Sequence, residues 1–351
     1  KRAVPALPVA GSFRSIDFAL SSMSNSHIQT VAVLTQYNAR SLNEHLSSSK
    51  WWNFGRKQGG LFLFTPTVTA DNSDWYRGTA DAMYQNIDFL KRRHEPYVII
   101  SSGDCVYKLD FNRVLDFHIE KKSDITVVCK DMMYNDDVSR FGVVRMDDES
   151  RITEFDEKPI EALSNTISTG IYVIRRRQLI ELLEAAAEEN RFDFVNDILV
   201  RYKNVKKIYG YKINSYWNNI ADIDAYFKTN MDFLRPDVRS YFFREEPTIC
   251  SKVDDLPPAK FNPGSDISNS LVSSGCIING SVEDSVLFKQ VFVGKNTTVK
   301  NCVILNDVYI GDNVHLENCI VESRGTINPN TCYCGEDGVM IVKEKNVRYV
   351  I

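Results

Sequence analysis

One segment of this chain ends a buried-looking apolar run on a carboxylate: Tyr97-Val98-Ile99-Ile100-Ser101-Ser102-Gly103-Asp104-Cys105. Open α/β sheets bind ligands just past the carboxyl ends of their strands. A carboxylate at that place suits a metal ion or a ribose hydroxyl, and a Gly-Asp pair also makes an ordinary turn; the residues alone leave both open. Glu157-Lys158, held between Phe155 and Pro159, is a second charged constellation. Taken by itself it is a solvated ion pair of small energetic weight. His27, His45, His94, His118 and His315 form no spaced ligand set, so no chemistry is assigned to them. The cysteines at 105, 129, 250, 276, 302, 319, 332 and 334 show no paired CxxC spacing and read as reduced, mostly buried thiols.

Such side chains need a layered scaffold, and two periodicities supply one. From about residue 29 to 235 short β-rich runs alternate with helical ones, the pattern of an α/β domain with a mostly parallel sheet. Strands are expected at 30–34, 97–100, 124–128, 141–146, 152–155 and 170–174, and a helix at 179–187. Ala80, Met83, Ile87 and Leu90 fall on one face of a further helix. Past a polar, proline-marked stretch at 254–263 a repeat begins. Ser281-Val282-Glu283-Asp284-Ser285-Val286, Thr298-Val299-Lys300-Asn301-Cys302-Val303 and His315-Leu316-Glu317-Asn318-Cys319-Ile320 recur every 17 residues. Val293-Gly294 and Ile310-Gly311 keep the same period, Ile327 follows, and a shorter copy runs from Ile267 through Leu271 to Ile278. An aliphatic residue every five or six positions beside small corner residues specifies a triangular β-solenoid. Cys302 and Cys319 then become ladder neighbours. The expected division is an α/β domain at 1–236, a linker at 237–262 and a β-helix at 263–351. The solenoid's open end is expected to contact the sheet domain or another subunit.

The chain has 351 residues, 43% of them hydrophobic and 25% charged, which fits two ordinary packed domains. A net charge of −4 and the lack of a basic stripe interleaved with aromatics argue against a nucleic-acid partner. No apolar run approaches the ~18 residues of a membrane span, and no signal-peptide pattern opens the chain. The expectation is a cytoplasmic protein without a membrane partner. Because it opens on Lys1-Arg2-Ala3, the chain is also expected to be the ordered part of something longer, with motifs upstream.

Several stretches together resemble the bacterial glucose-1-phosphate adenylyltransferases, or ADP-glucose pyrophosphorylases. They are Arg14-Ser15-Ile16-Asp17-Phe18, Leu34-Thr35-Gln36-Tyr37, Trp75-Tyr76-Arg77-Gly78-Thr79-Ala80-Asp81-Ala82, Gly103-Asp104, Phe155-Asp156-Glu157-Lys158-Pro159 and Gly170-Ile171-Tyr172-Val173, in family order. The resemblance implies a Rossmann-like nucleotidyltransferase domain followed by a left-handed parallel β-helix. It also implies metal-assisted transfer, in which the phosphate of glucose 1-phosphate attacks the α-phosphorus of ATP and pyrophosphate leaves. Two anions then meet, so magnesium on carboxylate oxygens and cationic side chains must offset the charge. Carried over residue by residue, Asp104 is a metal ligand. Gly142, Glu157, Lys158, Ser168, Asp193, Phe194 and Trp217 line the sugar-phosphate side, and Gln36, Trp75, Tyr76, Gly78 and Thr79 the nucleotide side. Lys1 matches a lysine tied to activator binding in some members, and is equally read as a solvated chain-end residue.

The departures from the family pattern are selective. The family's second metal aspartate lies in Tyr-Trp-Arg-Asp-Val-Gly-Thr; here the stretch is Tyr216-Trp217-Asn218-Asn219-Ile220-Ala221-Asp222, with Asn219 at the carboxylate position and Asn218 at the arginine. The Gly-Asp-His motif has Cys105 for its histidine. The family's Arg-Ala-Lys-Pro-Ala-Val appears as Arg2-Ala3-Val4-Pro5-Ala6-Leu7, so Val4 replaces the active-site lysine. The adenine-contacting Pro-x-Gln-Gln-Arg loop corresponds loosely to Thr65-Pro66-Thr67-Val68-Thr69. These losses point to a regulatory, GlgD-type subunit with impaired magnesium binding, joined to a catalytic subunit in a heterotetramer, with glucose 1-phosphate or ATP as retained ligands. Two alternatives stand beside it: a working enzyme in which Asp222 shares the metal with Asp104, and a hexapeptide-type acyltransferase using His315.

Overall fold

The computed structural model describes residues 3–55, 59–67, 75–133 and 136–345. Lys1, Arg2, Val68 and Thr69 lie outside the described residues. The α/β part is built on β1 (Thr30–Leu34), β2 (Gly60–Phe64), β3 (Tyr97–Ser101), β4 (Cys105–Tyr107), β5 (Ile125–Asp131), β6 (Gly142–Met146), β7 (Ile152–Glu157), β8 (Thr166–Arg175), β9 (Ile208–Lys212) and β10 (Trp217–Asn219).

β9 and β5 pair in parallel. β8 runs antiparallel to β5 on one edge, and β3 and β6 share its other edge, also antiparallel. β3, β5, β6 and β9 therefore run one way, as a mostly parallel sheet requires, while β8 is reversed through the middle and β7 is antiparallel to β6. Ile167, Ile171, Val173 and Ile174 of β8 and Ile125, Val127 and Val128 of β5 are fully buried. Such strands, covered on both faces, read as near-continuous apolar runs. The helix Arg176–Glu188 places Leu179, Leu182 and Leu183 against this sheet and buries Ala186 as well. β1 and β2 form a separate parallel pair, and β4 and β10 a short antiparallel one.

The helix expected around Ala80, Met83, Ile87 and Leu90 is two helices, Thr79–Gln85 and Ile87–Lys91, although all four residues pack into one cluster. Asn86 interrupts it. Its Nδ2 donates to Ala82 O at 2.9 Å and to Tyr76 Oη at 3.0 Å. A side-chain amide that bonds the backbone one turn back competes with helical continuity.

The solenoid has three faces, each a ladder of five parallel strands, from Lys260–Phe261 to Met340–Val342. Ser281, Thr298, His315 and Cys332 are successive partners on one face, which fixes the 17-residue coil. The first coil is shorter, since Ile267 pairs with Val282 and Leu271 with Val286. Ile278, Val293, Ile310 and Ile327 stack inside with no exposure, and Leu287, Ile304 and Val321 do the same. Corner turns need left-handed backbone, which asparagine tolerates better than most residues. Asn296, Asn313 and Asn330 occupy successive corners at φ 54°, 56° and 61°. Their amides form a ladder at 3.3 and 3.0 Å. Cys302 and Cys319 are buried in the solenoid core, as their ladder position predicts.

One solenoid face meets the α/β domain. The outward-pointing Val286, Val303 and Ile320 join Phe18, Val106, Ile220, Phe233 and Phe242 in one apolar cluster. Chain before the solenoid is pinned by Asp17, which is fully buried. Its carboxylate accepts from His45 Nε2 at 2.6 Å, Arg14 N at 2.8 Å and Ser251 Oγ at 2.5 Å.

Candidate functional site

Asp104 follows β3 and sits at the start of β4, where the chain leaves the sheet. Its Oδ1 accepts from Ser102 Oγ, and from Cys105 Sγ at 3.3 Å. Because β4 and β10 are antiparallel, Asn219 stands directly opposite Cys105. Asn219 Nδ2 donates to Cys105 Sγ at 3.5 Å, and Asn219 Oδ1 accepts from Ala221 N at 2.9 Å. Burial, reinforced by the Asp104 carboxylate, pushes the Cys105 thiol well up, so it stays protonated as a donor. The strand pairing thus brings both metal positions of the resemblance together, with a neutral thiol and a neutral amide beside one carboxylate.

The neighbours of this loop are already engaged. Asn218 Nδ2 donates to Tyr216 Oη at 2.8 Å and to Asp232 Oδ2 at 3.3 Å. Asp222 caps the helix Ile223–Asp232 by accepting from Ala225 N at 2.8 Å, and its other oxygen pairs with Arg140. Val4 begins a short 3-10 turn whose next residue, Pro5, touches the loop: a Cβ on Gly103 would lie 3.2 Å from it. Val4 itself packs against the interdomain apolar cluster.

A second group forms around β6, β7 and the irregularity in β8. Gly142 and Glu157 are opposite one another. A Cβ at residue 142 would lie 2.9 Å from Glu157 Oε2 and 2.8 Å from Phe155 Cε1, so only glycine leaves the carboxylate where it is. Burial, with Asp193 adding to it and Lys158 opposing it, raises the Glu157 carboxyl above its ordinary range. Lys158 Nζ lies 3.7 Å from Glu157 and is mostly exposed, and Lys158 N donates to Phe141 O at 3.1 Å. The register of β8 against β5 shifts between Ser168 and Tyr172. Ser168 and Tyr172 share a hydrogen bond of 3.3 Å, and the Tyr172 ring lies 5.3 Å from Phe194. Trp217 is buried against Phe141, ring centroids 5.7 Å apart, and its indole Nε1 is buried with no hydrogen-bond partner among the described residues.

The residues expected on the nucleotide side make a third, connected group. Gln36 binds the backbone of Tyr76 as a strand would, accepting from Tyr76 N at 2.6 Å and donating to Tyr76 O at 3.1 Å. Gly78 approaches so closely that a Cβ would lie 2.4 Å from Phe192 O. Thr79 Oγ1 accepts from Phe194 N at 2.9 Å and donates to Asp193 Oδ2 at 3.5 Å, which links this group to the residues expected on the sugar-phosphate side. Trp75 is exposed and stacks on Tyr37 at 5.3 Å. Sequence reasoning missed three contributors. Arg140 and Asp232 carry no local pattern, because their roles exist only across elements. Asp81 lay within a quoted motif, and it ties Arg77 N (2.8 Å) and Gln85 Nε2 (2.9 Å) to the helix start.

The comparisons follow the same division. The nucleotidyl transferase family model matches residues 1–235, and the model described as GlmU-like, C-terminal hexapeptide matches residues 257–342. The chain is similar to the glucose-1-phosphate adenylyltransferase of Clostridium acetobutylicum, with 38% identity over 302 residues, spanning 85% of this chain and 79% of the relative. That of Pseudothermotoga lettingae is 39% identical over 302 residues (85% and 71%), and that of Bacillus subtilis 37% over 300 residues (85% and 79%). Among the described residues no helix is long and apolar enough to cross a membrane.

Proposed function

The chain belongs to the glucose-1-phosphate adenylyltransferase family, and from that premise we propose that it is a regulatory subunit, weak or inactive alone, that assembles with an active subunit in glycogen biosynthesis. One observation carries the reading: the position opposite Cys105 and beside Asp104 holds the amide of Asn219, its oxygen bound by Ala221 N. Transfer of an adenylyl group between two phosphates calls for magnesium on hard, charged oxygens. Asp104 offers one carboxylate, and Asn219 supplies no second charge. This donor set does not fit a two-carboxylate magnesium site, so no catalytic step is routed through it. Losing even an outer partner of a metal ligand lowers affinity or activity by ~10 to 100-fold, and a missing direct charge should do at least as much.

Two further features support the proposal. Val4 lies in apolar packing where the family resemblance calls for a lysine, so a cation that would offset phosphate charge is lost. Asp222, the acid best placed by sequence to compensate, is held by Ala225 N and Arg140. The sugar-phosphate residues, by contrast, are contiguous. The half-buried Glu157 carboxyl, raised by desolvation, and the unsatisfied Trp217 Nε1 suit a polyhydroxyl ligand. We infer glucose 1-phosphate as the ligand this subunit keeps.

The test is to assay ADP-glucose synthesis by the purified chain alone, by an active subunit alone and by the two together. The expected result is little activity from this chain alone and a changed rate or effector response in the mixture. Full activity from the chain alone would end the proposal.

A further inference from the structure

The outer surface of the last two solenoid coils carries a group of side chains that neither the α/β site nor the core uses. On one face, successive coils present Asp266 and Ser268, Ser281 and Glu283, Thr298 and Lys300, His315 and Glu317, then Cys332 and Cys334. Within each pair the two residues flank an inward one, so both point outward. The first three pairs are hydroxyl or charged residues of the kind any solvated ladder displays. The last two pairs are all metal-binding types, and the register puts His315 beside Cys332 and Glu317 beside Cys334.

Distances separate this group from a chance display. Ligand atoms of His315, Glu317 and Cys334 all lie within 4.8 Å of one another, and the Cys332 thiol, outside that group, meets it through Cys334. His315 Nε2 is 3.5 Å from Glu317 Oε2, and Cys332 Sγ is 3.6 Å from Cys334 Sγ. Two ligands of a tetrahedral ion sit about 1.6 bond lengths apart. That is ~3.7 Å for thiolates at ~2.3 Å from zinc, and ~3.4 Å for nitrogen and oxygen at ~2.1 Å. These two separations match two edges of such a tetrahedron, and Cys332, the ladder partner of His315, completes it by turning its thiol about the Cα–Cβ bond toward the other three. A disulfide fits less well, because residues two apart on a strand have Cα atoms ~6.7 Å apart, at the upper end of the ~4.4–6.8 Å that a disulfide spans. The nearest cation on the preceding coil, Lys300, pairs with Glu283 at 3.4 Å and so is turned toward the coil before it.

We propose that His315, Glu317, Cys332 and Cys334 form a tetrahedral site for a zinc-class divalent metal that clamps the last described coil of the solenoid to the one before it. Two thiolates and an imidazole favour zinc over magnesium or calcium. Four protein ligands leave no open position, the arrangement of a structural rather than a catalytic metal.

Cobalt(II) serves as the probe. The full chain, reduced and stripped of metal, is titrated with cobalt, followed by zinc. The site predicts one equivalent bound, with thiolate-to-cobalt charge-transfer absorption and the visible bands of tetrahedral cobalt, and bleaching on zinc addition. The double variant Cys332→Ser/Cys334→Ser should lose the charge-transfer band. His315→Ala should keep part of it and bind at least ~10-fold more weakly. Because all four side chains are on the surface, the variants should melt as the metal-free parent does, and Cys250→Ser, which alters another exposed thiol, should leave the spectrum unchanged. Three results would each overturn the proposal: no uptake by the reduced chain at micromolar cobalt or zinc, equal uptake by the double variant, or a Cys332–Cys334 disulfide that forms in air as fast with zinc as without it.

Discussion

Asn219 faces Cys105 across the antiparallel ladder, its Nδ2 3.5 Å from the thiol, which in turn donates to Asp104 Oδ1. The contact is a chain of neutral donors ending on one carboxylate. Polar groups held this way are satisfied without a cation, so the amide at 219 leaves this part of the loop complete without one.

Asp222→Ala tests whether that acid serves a metal or a helix. Loss of an N-cap lowers stability by ~0.5–2 kcal/mol, and the Arg140 pair is lost with it. Thermal melting should show a drop of that size, with the activity of the assembly with the active subunit unaltered. Collapse of any residual activity of the chain alone would instead favour the alternative of a self-sufficient enzyme.

Gly142→Ala inserts a methyl group 2.9 Å from Glu157 Oε2, forcing the carboxylate aside. A lost hydrogen bond to a charged group is worth ~1.5–3 kcal/mol, or roughly 10 to 100-fold in affinity. Calorimetric titration with glucose 1-phosphate should show a loss in that range. Unchanged affinity would remove Glu157 from the sugar-phosphate site.

His118 is buried, bonded through Nδ1 to Thr126 Oγ1 at 2.8 Å, with Nε2 unpartnered among the described residues. Burial first, and the Arg175 charge second, lower its pKa to about 4. The unfolded chain, near ~6.5, binds the proton more readily than the folded one. Its contribution is therefore present above pH ~6.5 and is lost as pH falls toward 4, by at most ~3 kcal/mol. A His118→Gln variant should show a flatter melting profile between those pH values. An identical slope would contradict the assignment.

Ile310→Ala removes a fully buried rung between Val293 and Ile327. Such a truncation costs ~2–5 kcal/mol, depending on how far the coils collapse into the gap. Proteolysis or hydrogen exchange should show the loss concentrated in the solenoid, with the helix Arg176–Glu188 protected as before.

Much of this architecture was legible because periodicity is written locally. The 17-residue spacing of Val282, Val299 and Leu316 fixes the solenoid register, since each rung must stack on the last. Asp104 was legible as a carboxylate closing an apolar strand. The reversal of β8 was not, because a buried strand has the same apolar run in either direction. The break at Asn86 depends on a hydrogen bond to Tyr76, which no helical pattern encodes. His315, Glu317, Cys332 and Cys334 read as unconnected residues in a linear search for CxxC, although each pair is separated by one coil. Lys1, Val68 and Thr69 fall outside the described residues, so their expected roles rest on sequence alone.

The most direct measurement compares the chain alone with the paired variant Val4→Lys/Asn219→Asp, each assayed without partner for ADP-glucose formation from magnesium-ATP and glucose 1-phosphate. A weak or silent parent is expected, with a gain of at least ~10-fold in the variant as the second carboxylate and the lysine restore charge at the transfer site. A parent that already turns over as fast as an active subunit, with no gain from the paired change, would contradict it.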